Sequence, residues 1–223
     1  MKKGGRIALT AGILLLAACI AVPHISTQHY VWAGITGAEG MKVQAALPAD
    51  AVLCEISGNP MMTGMIFGFV LASLMFAFSV YLAKHEQQKR GNYRRLGLLT
   101  AIVFGMPVHE LIHGAALPAN AAVRIGFNKE QFIAFAVSDA PMNTAQLCAH
   151  FLMPTLLLGI LPVCISLMLR KKHPAAQMFF LFFGIGSLIA SPIDWVVLTA
   201  ILRSIPSDAI VQISETVPYW YIR

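Results

Sequence analysis

Charge is what this 223-residue chain has little of. Only 12% of its residues are Asp, Glu, Lys or Arg, against roughly 25% in a soluble domain. With a mean hydropathy of +0.70, that scarcity excludes an ordinary water-soluble enzyme and a disordered acidic tail. Cysteine pairing is also missing. Cys19, Cys54, Cys148 and Cys164 form no C-x-x-C spacing, which excludes a disulfide framework and a cysteine zinc site. The sequence shows no internal repeat and no low-complexity tract.

What is there is apolar length. A helix needs roughly 20 mainly apolar residues to cross a bilayer core of about 30 Å. Five segments satisfy this rule, at about 7–23, 61–83, 96–118, 150–169 and 176–202. The expected fold is therefore an all-α membrane protein of about five transmembrane helices. Residues 1–23 form a signal-anchor or first transmembrane helix, 24–60 an extracytoplasmic segment, and 61–223 a membrane-embedded domain with its core at 96–202. Leu16-Ala17-Ala18-Cys19 resembles a lipoprotein signal, but the apolar run continues through Ile20, Ala21 and Val22, as in an uncleaved signal-anchor.

The basic residues set the orientation. With a cytoplasmic N-terminus, eleven of the sixteen Lys and Arg residues fall inside, in the N-terminal tail, the Lys84–Arg95 loop and the Arg170–Lys172 turn. The net charge of +6 is accounted for in this way, and no basic face remains for nucleic acid. The expected location is a bacterial inner membrane, with the lipid bilayer as the first partner. The oligomeric state is not encoded in any of these features.

Of ten acidic residues, only Glu110 and Asp194 fall within the expected spans. A charge at mid-bilayer costs roughly 2.5–3.5 kcal/mol, which marks such residues as functional candidates. Glu110 lies in Val108-His109-Glu110-Leu111-Ile112-His113-Gly114, an H-E-x-x-H sequence. At helical spacing, residues four apart sit about 40° apart around the axis and one turn along it. His109 and His113 can therefore grip one metal ion, with Glu110 flanking them as the base for a water on that metal. In a soluble helix such a motif often means only a solvated face. Here it sits in an apolar span, where the remaining alternative is a structural polar network between helices.

Two histidines leave a zinc site one protein ligand short. Asp194, the other acid in a span, is the first candidate, with Glu130, Asp139 and His150 as further options. Ser191-Pro192-Ile193-Asp194 also reads as a helix restart, with Ser191 as N-cap and Asp194 in a capping role. Depth favours the ligand. His109 and Asp194 lie about 20 Å and about 25 Å along outward-running spans at helical rise, so both reach the outer half.

A short multi-pass chain with H-E-x-x-H in one span and an aspartate two spans later resembles the site-2-protease-like intramembrane zinc metalloproteases. It more closely resembles the putative zincin peptidase family of small bacterial membrane proteins. The resemblance rests on Pro107 to Gly114, on Ala149-His150-Phe151-Leu152-Met153-Pro154, and on Gly186-Ser187 leading to Ile193-Asp194. It implies a Zn2+ held by His109, His113 and Asp194, with Glu110 as catalytic base, acting on a membrane-associated peptide or protein substrate. Where the site-2 proteases carry Leu-Asp-Gly, this chain has Ile193-Asp194-Trp195. The alternative function is a non-catalytic metal-binding, sensing or scaffold protein using the same ligands. Two short apolar runs around Asn128-Lys129-Glu130 predict a small β-hairpin over Val123–Val137 after the motif helix, with an edge able to receive an extended peptide. Tyr219, Trp220 and Tyr221 read as an interfacial aromatic belt.

Overall fold

A computed structural model describes residues 21–85, 88–169 and 173–222, and residues 6, 10, 13, 14 and 17 before them. Most of the first expected span (7–23), Cys19, Glu86 and the Arg170–Lys172 turn lie outside the described residues.

The chain is mostly helical. Helix α1 covers Pro60–His85. Helix α2 (Gln88–Thr100) continues through a π-helical turn at Ala101–Gly105 into α3 (Met106–Ala115). Helix α4 (Thr144–Pro154) runs through a second π turn, Thr155–Ile160, into α5 (Leu161–Leu169). Helices α6 (Pro174–Ala190) and α7 (Pro192–Ser204) meet at Ser191. Proline at the first position of α7 withholds an amide and sets the break.

The expectation of five transmembrane helices is not supported. Among the described residues, two helices are long and apolar enough to cross a membrane, Asn92–Ala115 and Thr144–Leu169. The α6–α7 pair, bent by 45°, makes a third if it counts as one span. The expected 61–83 span falls in α1, whose described apolar part, Pro60–Met75, is shorter than a crossing. Outward-facing apolar side chains such as Met65, Phe69, Leu74, Ile102, Leu156 and Met168 are exposed. Contiguous exposure of this kind suits contact with lipid rather than water.

The all-α expectation also needs correction, because among the described residues seven strands form two sheets. One has the order β1 (His29–Thr36), β3 (Ala122–Asn128), β4 (Ile133–Val137). β1 runs parallel to β3, and β3 pairs antiparallel with β4, from Arg124 opposite Val137 to Asn128 opposite Ile133. The β3–β4 pair is the expected hairpin. Its turn is built by Asn128, whose Oδ1 accepts from the amides of Glu130 at 2.9 Å and Gln131 at 3.2 Å, a local bond that asparagine offers at turns. The other sheet has the order β2 (Val52–Leu53), β7 (Val217–Tyr221), β6 (Ile210–Ser214), β5 (Met142–Asn143). The expected aromatic belt, Tyr219 to Tyr221, is thus part of a paired strand.

The main core lies where these sheets meet the helix ends, around Cys54, Leu117, Val123, Met142, Leu147, Leu198 and Val211. Burial pushes the Cys54 thiol up to about 11, so it behaves there as a small apolar side chain.

Candidate metal centre

The H-E-x-x-H sequence occupies α3, as its spacing predicts, and His109 and His113 are both buried. Two glycines bring the neighbouring elements close. A Cβ on Gly114 would lie 2.8 Å from the Tyr30 ring and 2.9 Å from Val123, so only glycine lets the first sheet approach the end of α3 this closely. A Cβ on Gly64 would lie 2.6 Å from the Cα of Ile193, so glycine in α1 lets it pack against the first turn of α7. Small residues permit such backbone approach in membranes.

Asp194 sits in that first turn of α7 and points at α3. Its Oδ2 lies 3.0 Å from His109 Nε2 and 3.5 Å from His113 Nε2. The expected capping arrangement is not what forms. Ser191 makes no side-chain cap, and its hydroxyl donates instead to the Ser187 carbonyl at 3.2 Å. That leaves the Asp194 carboxylate turned to the histidines. The Trp195 indole donates to Thr155 Oγ1 at 2.8 Å, tying this turn to the π turn after α4.

Of the other options for a third ligand, Glu130 and Asp139 lie elsewhere, while His150 lines the same cleft. Glu130 accepts from the Ala38 amide at the exposed hairpin tip. Asp139 offers its backbone carbonyl to Gln212. His150 is buried beside His113, and the two exchange hydrogen bonds. His113 Nδ1 donates to the His150 carbonyl at 2.7 Å, and His150 Nδ1 donates to the His113 carbonyl at 2.9 Å. A carbonyl only accepts, so each ring carries its proton on Nδ1. In neutral His113 the Nε2 lone pair then faces Asp194.

The donor set fits zinc. One nitrogen from each of His109 and His113 and one Asp194 oxygen all lie within 4.8 Å of one another. Ligands around a tetrahedral zinc at about 2.0–2.1 Å lie about 3.3 Å apart, between the two distances measured to Oδ2. Two imidazoles and a carboxylate are also a donor chemistry that suits this ion.

Glu110 stands between two cavities. One, of about 210 Å³, is the cleft lined by His109, His113, His150, Asp194 and residues Ile133 to Ala136 of β4. The other, of about 440 Å³, is an apolar groove walled by Val31, Trp32, Pro107, Ile125 and Phe127. Glu110 and Ala134 line both. Ala136 of β4 also lines the cleft with Glu110. Among the described residues β4 has β3 as its one neighbour, so its other edge is unpaired there. Tyr30, at the groove wall, donates its hydroxyl to the Leu111 carbonyl at 3.2 Å, and burial holds its phenol above the ordinary value, keeping it a donor.

Sequence reasoning missed two features here. The His150 ring-to-backbone exchange had a signal, Pro154 four residues on. The parallel pairing of β1 with β3, which builds the groove, had none within either segment. No curated protein and no solved structure matches the chain. Residues 102–210, a stretch that holds the H-E-x-x-H sequence and Asp194, are similar to the family described as "Putative zincin peptidase".

Proposed function

We propose that this protein is an intramembrane zinc metallopeptidase that hydrolyses peptide bonds in or near the bilayer. The observation that carries the reading is convergence. His109, His113 and Asp194 bring three donor atoms to one point, beside Glu110 and an unpaired strand edge, in a cleft between apolar helices. The basic residues Lys2, Lys3 and Arg6 ahead of the first apolar run support a bacterial inner membrane with the N-terminus cytoplasmic.

His109 Nε2, His113 Nε2 and Asp194 Oδ2 would hold the zinc. When bound, the ion supplies a Lewis acid that polarises water and the scissile carbonyl. Glu110, the remaining carboxylate of the cleft, takes the proton from the attacking water and passes it to the departing amine. It shares the cleft with Ala134 and Ala136 of β4. An extended peptide adds to the free edge of β4 through main-chain hydrogen bonds, which presents its backbone to Glu110. The small side chains of Ala134 and Ala136 leave space for it. The apolar groove on the other side of Glu110 takes a large apolar side chain next to the bond that is cut.

The test uses full-length protein in liposomes and quenched fluorescent peptides with an apolar centre. Wild-type protein is expected to bind about one zinc and cleave. Glu110→Gln should keep the metal and lose about 10²–10⁴-fold in rate, the range for general-base catalysis. Undiminished cleavage by Glu110→Gln, or zinc binding without any cleavage by wild type, would overturn the reading. The second outcome points to a metal-binding or scaffold protein.

A further inference from the structure

The exchange between His113 and His150 depends on two broken backbone ladders. In α4 the His150 carbonyl would normally accept from the amide of residue 154. That residue is Pro154, which has no amide hydrogen to give. The next amide, Thr155, donates to Leu152. The His150 carbonyl is therefore left to the His113 ring. In α3 the His113 carbonyl would accept from Leu117, but the helix ends there and Leu117 donates to Gly114 instead, at 3.1 Å. That orphan carbonyl takes the His150 ring proton. A buried carbonyl without a donor is costly, so each helix supplies what the other has lost.

We propose that His150 and Pro154 are positioning residues for His113. Pro154 frees the His150 carbonyl, that carbonyl holds the His113 proton on Nδ1, and the Nε2 lone pair is thereby aimed at the point shared with His109 and Asp194. The His150 ring returns a bond to the His113 backbone and fixes its distance. The inference rests on the metal-site reading for its purpose, but the tautomer it specifies belongs to the protein itself. Neither residue touches the shared point, since the donor group consists of His109, His113 and Asp194 alone among the described residues.

The experiment has two readouts at one fixed pH. Histidine-selective 15N NMR of metal-free protein reports the tautomer of His113, and zinc competition titration reports affinity. Wild type should show the Nδ1-protonated form. His150→Ala should weaken zinc about 10–100-fold, as loss of a partner behind a ligand typically does, without changing the helical circular dichroism. His150→Asn keeps an N–H donor near the position of Nδ1 and should restore most of that loss, which a role in packing alone would not predict. Pro154→Ala returns a competing amide and should give a mixed His113 tautomer with a smaller loss of affinity.

Wild-type affinity and tautomer in both His150→Ala and Pro154→Ala would overturn the proposal. So would X-ray absorption showing one histidine fewer on zinc in His150→Asn, which would make His150 a ligand. If wild type binds no metal, the peptidase reading fails while the tautomer signal still decides for or against the lock.

Discussion

The two cavities beside Glu110 share a wall and differ in almost everything else. The cleft gathers His109, His113, His150 and Asp194 from three helical segments. The groove is lined by Val31, Trp32, Pro107, Ile125 and Phe127, and its walls come largely from strands. The polar site is assembled by helices that complete each other's backbone bonding at His113 and His150. The apolar site is assembled by a sheet laid over the end of α3. One carboxylate at the boundary lines both, so under the proposed function chemistry and selection of the substrate would meet at Glu110 and Ala134.

Asp194→Ala should break the comparison most severely. It removes the one anionic member of the donor set, and zinc affinity should fall at least about 100-fold, with cleavage lost in parallel; the bound for ligand loss is set above the 10–100-fold typical of outer partners. Equilibrium dialysis and the peptide assay measure both. Retained stoichiometric zinc would mean that the two sides of Glu110 are not divided as described. Ala134→Trp should act on the other side. It fills the shared wall, and cleavage of peptides with Leu or Phe beside the scissile bond should drop about 10-fold relative to peptides with Ala there, the scale on which apolar pockets discriminate. An equal drop for every peptide would assign Ala134 to the cleft alone. Trp195→Phe should give the smallest effect. Losing the bond to Thr155 costs about 1 kcal/mol, seen as a lower melting temperature and a few-fold weaker zinc binding.

Much of the polar site was legible because the sequence is so poor in charge. Two acids among the expected spans and one H-E-x-x-H narrowed the candidates, and the structure brings Asp194 to both histidines. The β3–β4 hairpin was legible from Asn128 and the apolar runs around it. Other features were not, for definite reasons. A window rule counts apolar residues and does not see that Pro192 breaks the last span. β1 and β3 are far apart in the chain, and each is too short to announce a parallel partner. Trp220 pairs with Val52 on one side and Val211 on the other, yet between Tyr219 and Tyr221 its composition reads as a belt. The Ile193-Asp194-Trp195 sequence, a departure from the site-2 proteases, places the indole that tethers Asp194 to the neighbouring helix.

The π turn at Ala101–Gly105 has a consequence for the length of the chain rather than its composition. Such a turn accommodates about one more residue than an α-helical turn does, and each residue of an α-helix carries about 100° of rotation. Counted along the sequence, the half before the turn and the half bearing His109 are therefore out of phase by roughly that angle, and the turn absorbs the difference. Deleting one residue between 101 and 105 would return a regular α-helical turn and leave the histidines facing Asp194. Deleting one residue between the turn and His109 leaves nothing to absorb the change, and the histidines would swing about 100° away from Asp194 with every side chain of the motif still present. A shorter count should be tolerated at 101–105 far better than at 106–108.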